Sequence, residues 1–183
     1  MTAGGTVVPT VYGAHSQTAA LLETVFHDVH GSVGSRLITH LDLAGRNLVD
    51  FELPERLVLW DLRAEALERL GLQRCQLVST TAAHYPCTRQ WAEALHARKG
   101  RGRAQPAGLL WDSRVAELAK GGSTLFADLL PGRPEEVFVL FGDKLKTTDP
   151  NHYSAELSYD DLSSTAALPL VAAIAEQVGA TLA

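Results

Sequence analysis

Val7-Val8-Pro9-Thr10-Val11-Tyr12-Gly13-Ala14-His15-Ser16 passes from a β-branched apolar run to a helix-capping serine. Val, Thr and Tyr favour a pleated strand over residues 7–12, and Pro9, which has no N–H, suits an edge or the start of a strand. Ser16 is an N-cap whose side-chain oxygen can receive a helix amide, so a helix is expected from there to about residue 29, ended by His30-Gly31. At roughly 100° per residue, Ala19, Ala20, Phe26, His27 and His30 would lie within about 60° of Glu23. A carboxylate among such small and apolar neighbours is partly desolvated, and it either acquires a partner or has a chemical task.

Downstream, 35–43 and 47–53 read as strands joined by the Ala44-Gly45-Arg46 turn, and 57–61 as another after Pro54. A short helix over 63–70 is closed by Gly71, and Thr88 caps a helix over 89–98 that ends at Gly100, with Trp91, Ala94 and Leu95 on one face. The basic, Gly/Pro-rich run 99–106 reads as a solvated loop. Strands are expected over 108–111, 124–130 and 136–142, a polar loop over 147–160, and an apolar helix over 166–178 with Pro169 in its first turn. The pattern is that of one α+β domain with mainly antiparallel strands and flanking helices, without internal repeats.

A chain of 183 residues with 46% hydrophobic and 20% charged content can bury a core of its own. Its net charge of −5 argues against nucleic acid as the main partner, because phosphate binding calls for a concentrated basic excess. Cys75 and Cys87 lack the number and spacing of a disulfide framework or zinc site and are expected as reduced thiols. The N-terminus has no positive, apolar leader, and no apolar run approaches the roughly 20 residues of a membrane span. A cytoplasmic location without membrane attachment follows as the expectation.

The candidate chemistry rests on Glu23, Tyr12 and Ser113, the last in Gly108-Leu109-Leu110-Trp111-Asp112-Ser113-Arg114. An anionic carboxylate, an aromatic ring and a loop hydroxyl suit binding and cleaving a ribosyl compound, since the carboxylate opposes the positive charge that develops on the sugar ring. Each residue also has a plainer reading: a solvated helix glutamate, a core tyrosine, a serine capping a turn. Glu23 with His27 and His30 does not reproduce a Glu-x-x-His or His-Glu-x-x-His motif, so no metal is expected. Gly-x-Ser-x-Gly and the phosphate-binding glycine motifs are absent from the sequence, which disfavours hydrolase elbows and familiar nucleotide folds.

These residues, in order, resemble the RES-domain family, named for the arginine, glutamate and serine that mark it. The resemblance is carried by Tyr12-Gly13-Ala14, Ala19-Ala20-Leu21-Leu22-Glu23-Thr24, Leu57-Val58-Leu59-Trp60-Asp61-Leu62, Tyr85-Pro86 before Thr88-Arg89-Gln90-Trp91-Ala92, and Gly108 to Arg114. It implies a fold like that of ADP-ribosyltransferases, and NAD⁺ as the substrate of a toxin that breaks the nicotinamide–ribose bond by hydrolysis or phosphorolysis. It also implies a helix-turn-helix antitoxin as partner. On that basis Glu23 is the catalytic carboxylate, Tyr12 borders the nicotinamide or ribose, Ser113 lines the pocket, and Arg114 positions Ser113 or a phosphate.

The family places one arginine in an N-terminal strand and another about ten residues before the tyrosine; no arginine occurs among residues 1–11 here. Three explanations compete: a start site assigned too far downstream, a catalytically inactive interaction module, or substitution by other arginines, for which Arg89 and Arg114 are the candidates. The apolar C-terminal helix is expected either to cover the core or to form the interface of a homodimer.

Overall fold

The computed structural model describes residues 2–3, 6–27, 36–52, 56–80, 82–99, 105–113, 135–145 and 154–183. In chain order the described elements begin with β1 (Thr2–Ala3), β2 (Thr6–Val7), β3 (Thr10–Ala14), α1 (Gln17–Thr24), β4 (Arg36–Ile38), α2 (His40–Leu43), β5 (Leu48–Glu52) and β6 (Trp60–Asp61). They continue with α3 (Ala64–Glu68), α4 (Arg74–Leu77), α5 (Tyr85–Ala97), β7 (Gly108–Asp112), β8 (Glu136–Phe141), β9 (Ser154–Tyr159), α6 (Leu168–Val178) and β10 (Ala180–Leu182). The fold is α+β: the pairs β1–β2, β3–β8, β7–β8 and β5–β9 are antiparallel, while β6–β7 and β4–β10 are parallel. The chain forms two units, Met1–Ala14 with Glu55–Arg114 and Glu136–Asp149, and His15–Pro54 with Val115–Glu135 and Pro150–Ala183.

The first unit is built on a four-stranded sheet in the order β3-β8-β7-β6. Tyr12, Val139, Leu109 and Trp60 stand in one cross-strand row, and residues paired in this way project from the same face. That face carries the core of Val8, Leu62, Leu67, Leu109, Val139 and Phe141, against which Leu72, Leu77, Ala92 and Leu95 pack. The helix expected over 89–98 in fact begins at Tyr85. Pro86 has a fixed φ and no N–H to leave unbonded, which favours the first turn. Thr88 is therefore inside α5, its hydroxyl donating to the Tyr85 carbonyl at 3.1 Å. Of the expected apolar face only Leu95 packs inward; Trp91 and Ala94 are exposed, and Ala92 and His96 turn to the core side instead. His96 Nε2 meets Asp143 at 2.9 Å, and its ring stands edge-on to Phe141.

Only Trp60–Asp61 of the strand expected over 57–61 joins the ladder. In the basic run, Pro106 is buried, contrary to a wholly solvated loop, while residues 100–104 lie outside the described residues. The strand expected over 124–130 also lies outside them.

The second unit gathers Leu21, Leu22, Phe26, Ile38, Leu43, Leu48, Leu162, Val171 and Ile174 into its own core. Helix α6 presents Val171, Ile174 and Ala175 inward, an i, i+3, i+4 stripe, and Gly179 ends it with φ +70°. Burying a Val or Ile is worth about 1.5–3 kcal/mol each, so packing rather than intrinsic propensity holds this short helix.

Three expectations differ from the fold. Residues 35–43 are not one strand: after β4, Thr39 N and Oγ1 both donate to Asp42 Oδ2 at 2.8 Å, starting α2 and carrying Leu43 into the core. No hairpin joins 35–43 to 47–53, because β4 pairs with β10 and β5 with β9. Nor is 147–160 all loop, since Ser154–Tyr159 is the partner that β5 requires.

Candidate functional site

Tyr12 lies within β3 at the edge of the four-stranded sheet and is 55% exposed. The next residue, Gly13, is needed for contact: a Cβ there would overlap the Phe138 ring. Ser113 follows β7 directly and is fully buried. Tyr12 and Ser113 therefore belong to the same sheet without adjoining each other. Tyr12 is level with Leu109, two strands away, and Ser113 is four residues further along. At about 3.3 Å per residue and about 4.8 Å per strand, their backbones are on the order of 16 Å apart.

The strand ends beside Ser113 are strongly charged. Arg63 donates from Nε to Asp61 Oδ1 at 3.0 Å and from Nη2 to Asp61 Oδ2 at 2.8 Å, and its Nη1 bonds Glu136 Oε1. Since Asp61 ends β6 and Glu136 begins β8, this guanidinium ties together the two strands that flank β7. The Arg63 side chain holds the Asp61 carboxyl below the ordinary carboxylate range, with the Arg63 amide adding to the effect, and the Arg63 guanidinium is pushed further up by both acids. Arg74, on α4, donates to the carbonyl of Asp112, the residue before Ser113.

Glu23 belongs to the second unit, in the last turn of α1, and is half-buried. Its surroundings differ from the helical face expected for it. Helix α1 stops at Thr24, whose hydroxyl bonds back to the Ala20 carbonyl at 2.7 Å, and the Phe26 amide then reaches the Leu21 carbonyl at 3.1 Å. Two β-branched residues, Thr24 and Val25, weaken helix continuation, and Phe26 is drawn fully into the core. Phe26 and His27 thus lie beyond the helix, and His30 lies outside the described residues. Ala19 is buried and Leu21 and Leu22 face the core. At the other end of α1, the Ser16 hydroxyl accepts from Ala19 N at 3.1 Å and donates to the buried Glu135 at 3.3 Å.

Of the two arginines nominated from sequence, Arg89 is exposed on α5 and Arg114 lies outside the described residues. Arg63, Arg74 and Glu135 had no motif to mark them, because their partners are 73, 38 and 119 residues away. Cys75 and Cys87 are free and exposed. Among the described residues no helix is long and apolar enough to cross a membrane.

A family model described as the RES domain matches residues 4–132, which contain Tyr12, Glu23 and Ser113. No curated protein and no solved structure matches the chain. With well over half of its length matched, the chain belongs to the RES-domain family.

Proposed function

We propose that this protein cleaves the nicotinamide–ribose bond of NAD⁺, by hydrolysis or phosphorolysis, and acts in the bacterial cytoplasm as a growth-inhibiting toxin held by a helix-turn-helix antitoxin. The observation that carries this reading is the half-buried Glu23 on α1, within a RES-domain match. When the glycosidic bond breaks, both of its electrons leave with the pyridine nitrogen and neutral nicotinamide departs. The positive charge passes to C1′ and the ring oxygen of the ribose. The anionic Glu23 opposes that charge, Tyr12 borders the sugar or the leaving ring, and Ser113 lines the pocket. Water or phosphate then adds to C1′, and in hydrolysis the added water loses a proton.

Replacing a charge that acts mainly in the transition state costs about 10²–10³ in rate. Glu23→Gln is expected to lower NAD⁺ turnover by at least that factor without unfolding the chain. NAD⁺ consumption, measured with and without phosphate beside the parent, checks this and separates the two acceptors. Equal turnover by parent and variant would remove Glu23 from the chemistry.

A second reading, an inactive interaction module that keeps the fold and binds a protein partner, is favoured by the arginines. Arg63 is already committed to two carboxylates, and Arg89 is exposed on α5. Loss of a bidentate contact to an anion costs about 1.5–3 kcal/mol. Calorimetric titration of the folded chain with NAD⁺ separates the readings: binding supports the enzyme, and no heat at millimolar NAD⁺ supports the module.

A further inference from the structure

We infer that Glu135, outside the RES-domain match, is a positioning residue for the helix that carries Glu23; the inference rests on the reading of Glu23 given above. Glu135 is only 8% exposed. A carboxylate is removed from water at a cost unless it is engaged, and one of its oxygens receives the Ser16 hydroxyl at 3.3 Å. That hydroxyl has a single hydrogen. Donating it to Glu135 fixes the rotation of the hydroxyl and turns a lone pair toward Ala19 N, which bonds it at 3.1 Å. The two bonds polarise one another, so the cap and the carboxylate act as one unit.

The consequence reaches Glu23 because α1 is short. With eight residues, the helix is marginal on its own, and its start must be held from outside. Glu23 is seven residues beyond Ser16, two turns along, so a frayed first turn alters the direction in which the last turn presents its carboxylate. Gln17 donates to Asp50 at 3.3 Å and to Ser158 at 3.4 Å, which links the start of α1 to β5 and β9 and not to Glu135. The role assigned to Glu135 is thus exerted through Ser16 and α1.

The test compares parent, Ser16→Ala, Glu135→Ala, the double variant and Glu135→Gln in NAD⁺ turnover, with amide exchange read at Ala19 and Ala20 in the same proteins. The amide oxygen of glutamine still accepts the Ser16 hydroxyl, so Glu135→Gln is the rescuing variant. Expected are a drop in kcat of about tenfold or more in Glu135→Ala with KM within about twofold, and no further loss in the double variant. Glu135→Gln should stay within about threefold of the parent. Parent-like kcat in Glu135→Ala, multiplicative losses in the double variant, or failure of glutamine to restore turnover would overturn the inference. A parent without Glu23-dependent turnover would instead sink the proposed reaction, and amide exchange would then decide alone. Faster exchange confined to the α1 amides in Glu135→Ala, reversed in Glu135→Gln, would uphold the tether; unchanged exchange would overturn it.

Discussion

Arg63 shows how much one side chain can do at a strand end. It spans from the Asp61 carboxylate to Glu136, across the strand that leads to Ser113. Both partners are partly exposed, 41% and 29%, so solvent screening limits the contribution to about 1 kcal/mol or less per pair. Asp61→Asn is expected to lower stability by about that amount at neutral pH. The sign with pH follows from the depressed carboxyl of Asp61. Its contribution is complete above the unfolded value of about 4 and disappears as pH falls through the lower folded value. Urea midpoints of parent and Asp61→Asn should therefore differ at pH 7 and converge in strong acid; a constant difference would show that charge plays no part. Asp61-Leu62-Arg63 was visible in the sequence, but its bridging role was not, because Glu136 is 73 residues beyond Arg63. Tyr12, Glu23 and Ser113 were legible only as residue types in order.

Elements with local signals were legible and those defined by distant partners were not. Helix α6 carries its own punctuation, Pro169 at its start and Gly179 at its end, and it lies within two residues of the expected span. Strand β8 has the uninterrupted apolar run Val137-Phe138-Val139-Leu140-Phe141, and it too is where the sequence indicates. By contrast, β9 reads as polar loop because its pairing with β5 spans about a hundred residues. Helix α2 was hidden in a β-branched, strand-like stretch and is revealed by the Thr39–Asp42 contact. Gly108 illustrates a tight tolerance at this scale: a Cβ there would strike the carbonyl oxygen of Val139 in β8. Gly108→Ala is expected to cost about 1–3 kcal/mol by overpacking, read from the urea midpoint. Gly13→Ala should cost less, because the atom it meets is the tip of the Phe138 side chain, which can turn away, whereas β8 backbone cannot.

The family match ends at residue 132, but the folded units do not. In the first unit β8 is the inner strand between β3 and β7, and in the second unit Leu162, Ala167, Val171, Ile174 and Ala175 supply much of the core. A chain ending at residue 132 would lose an inner strand and all of α6. It is expected to be insoluble or without near-ultraviolet circular dichroism, whereas residues 1–183 give a cooperative transition. A folded fragment 1–132 would contradict this account of the sheet.

The position of β8 also sets a timetable for biosynthesis. A ribosome works from the N-terminus, so Tyr12 and Ser113 are both translated before the strand that joins β3 to β7 exists. Until Phe141 clears the exit tunnel, the two side chains stand on unjoined segments and the sheet has no middle. A nascent chain thus lacks its assembled first unit until β8 has been made and has left the ribosome, however early its other three strands emerge.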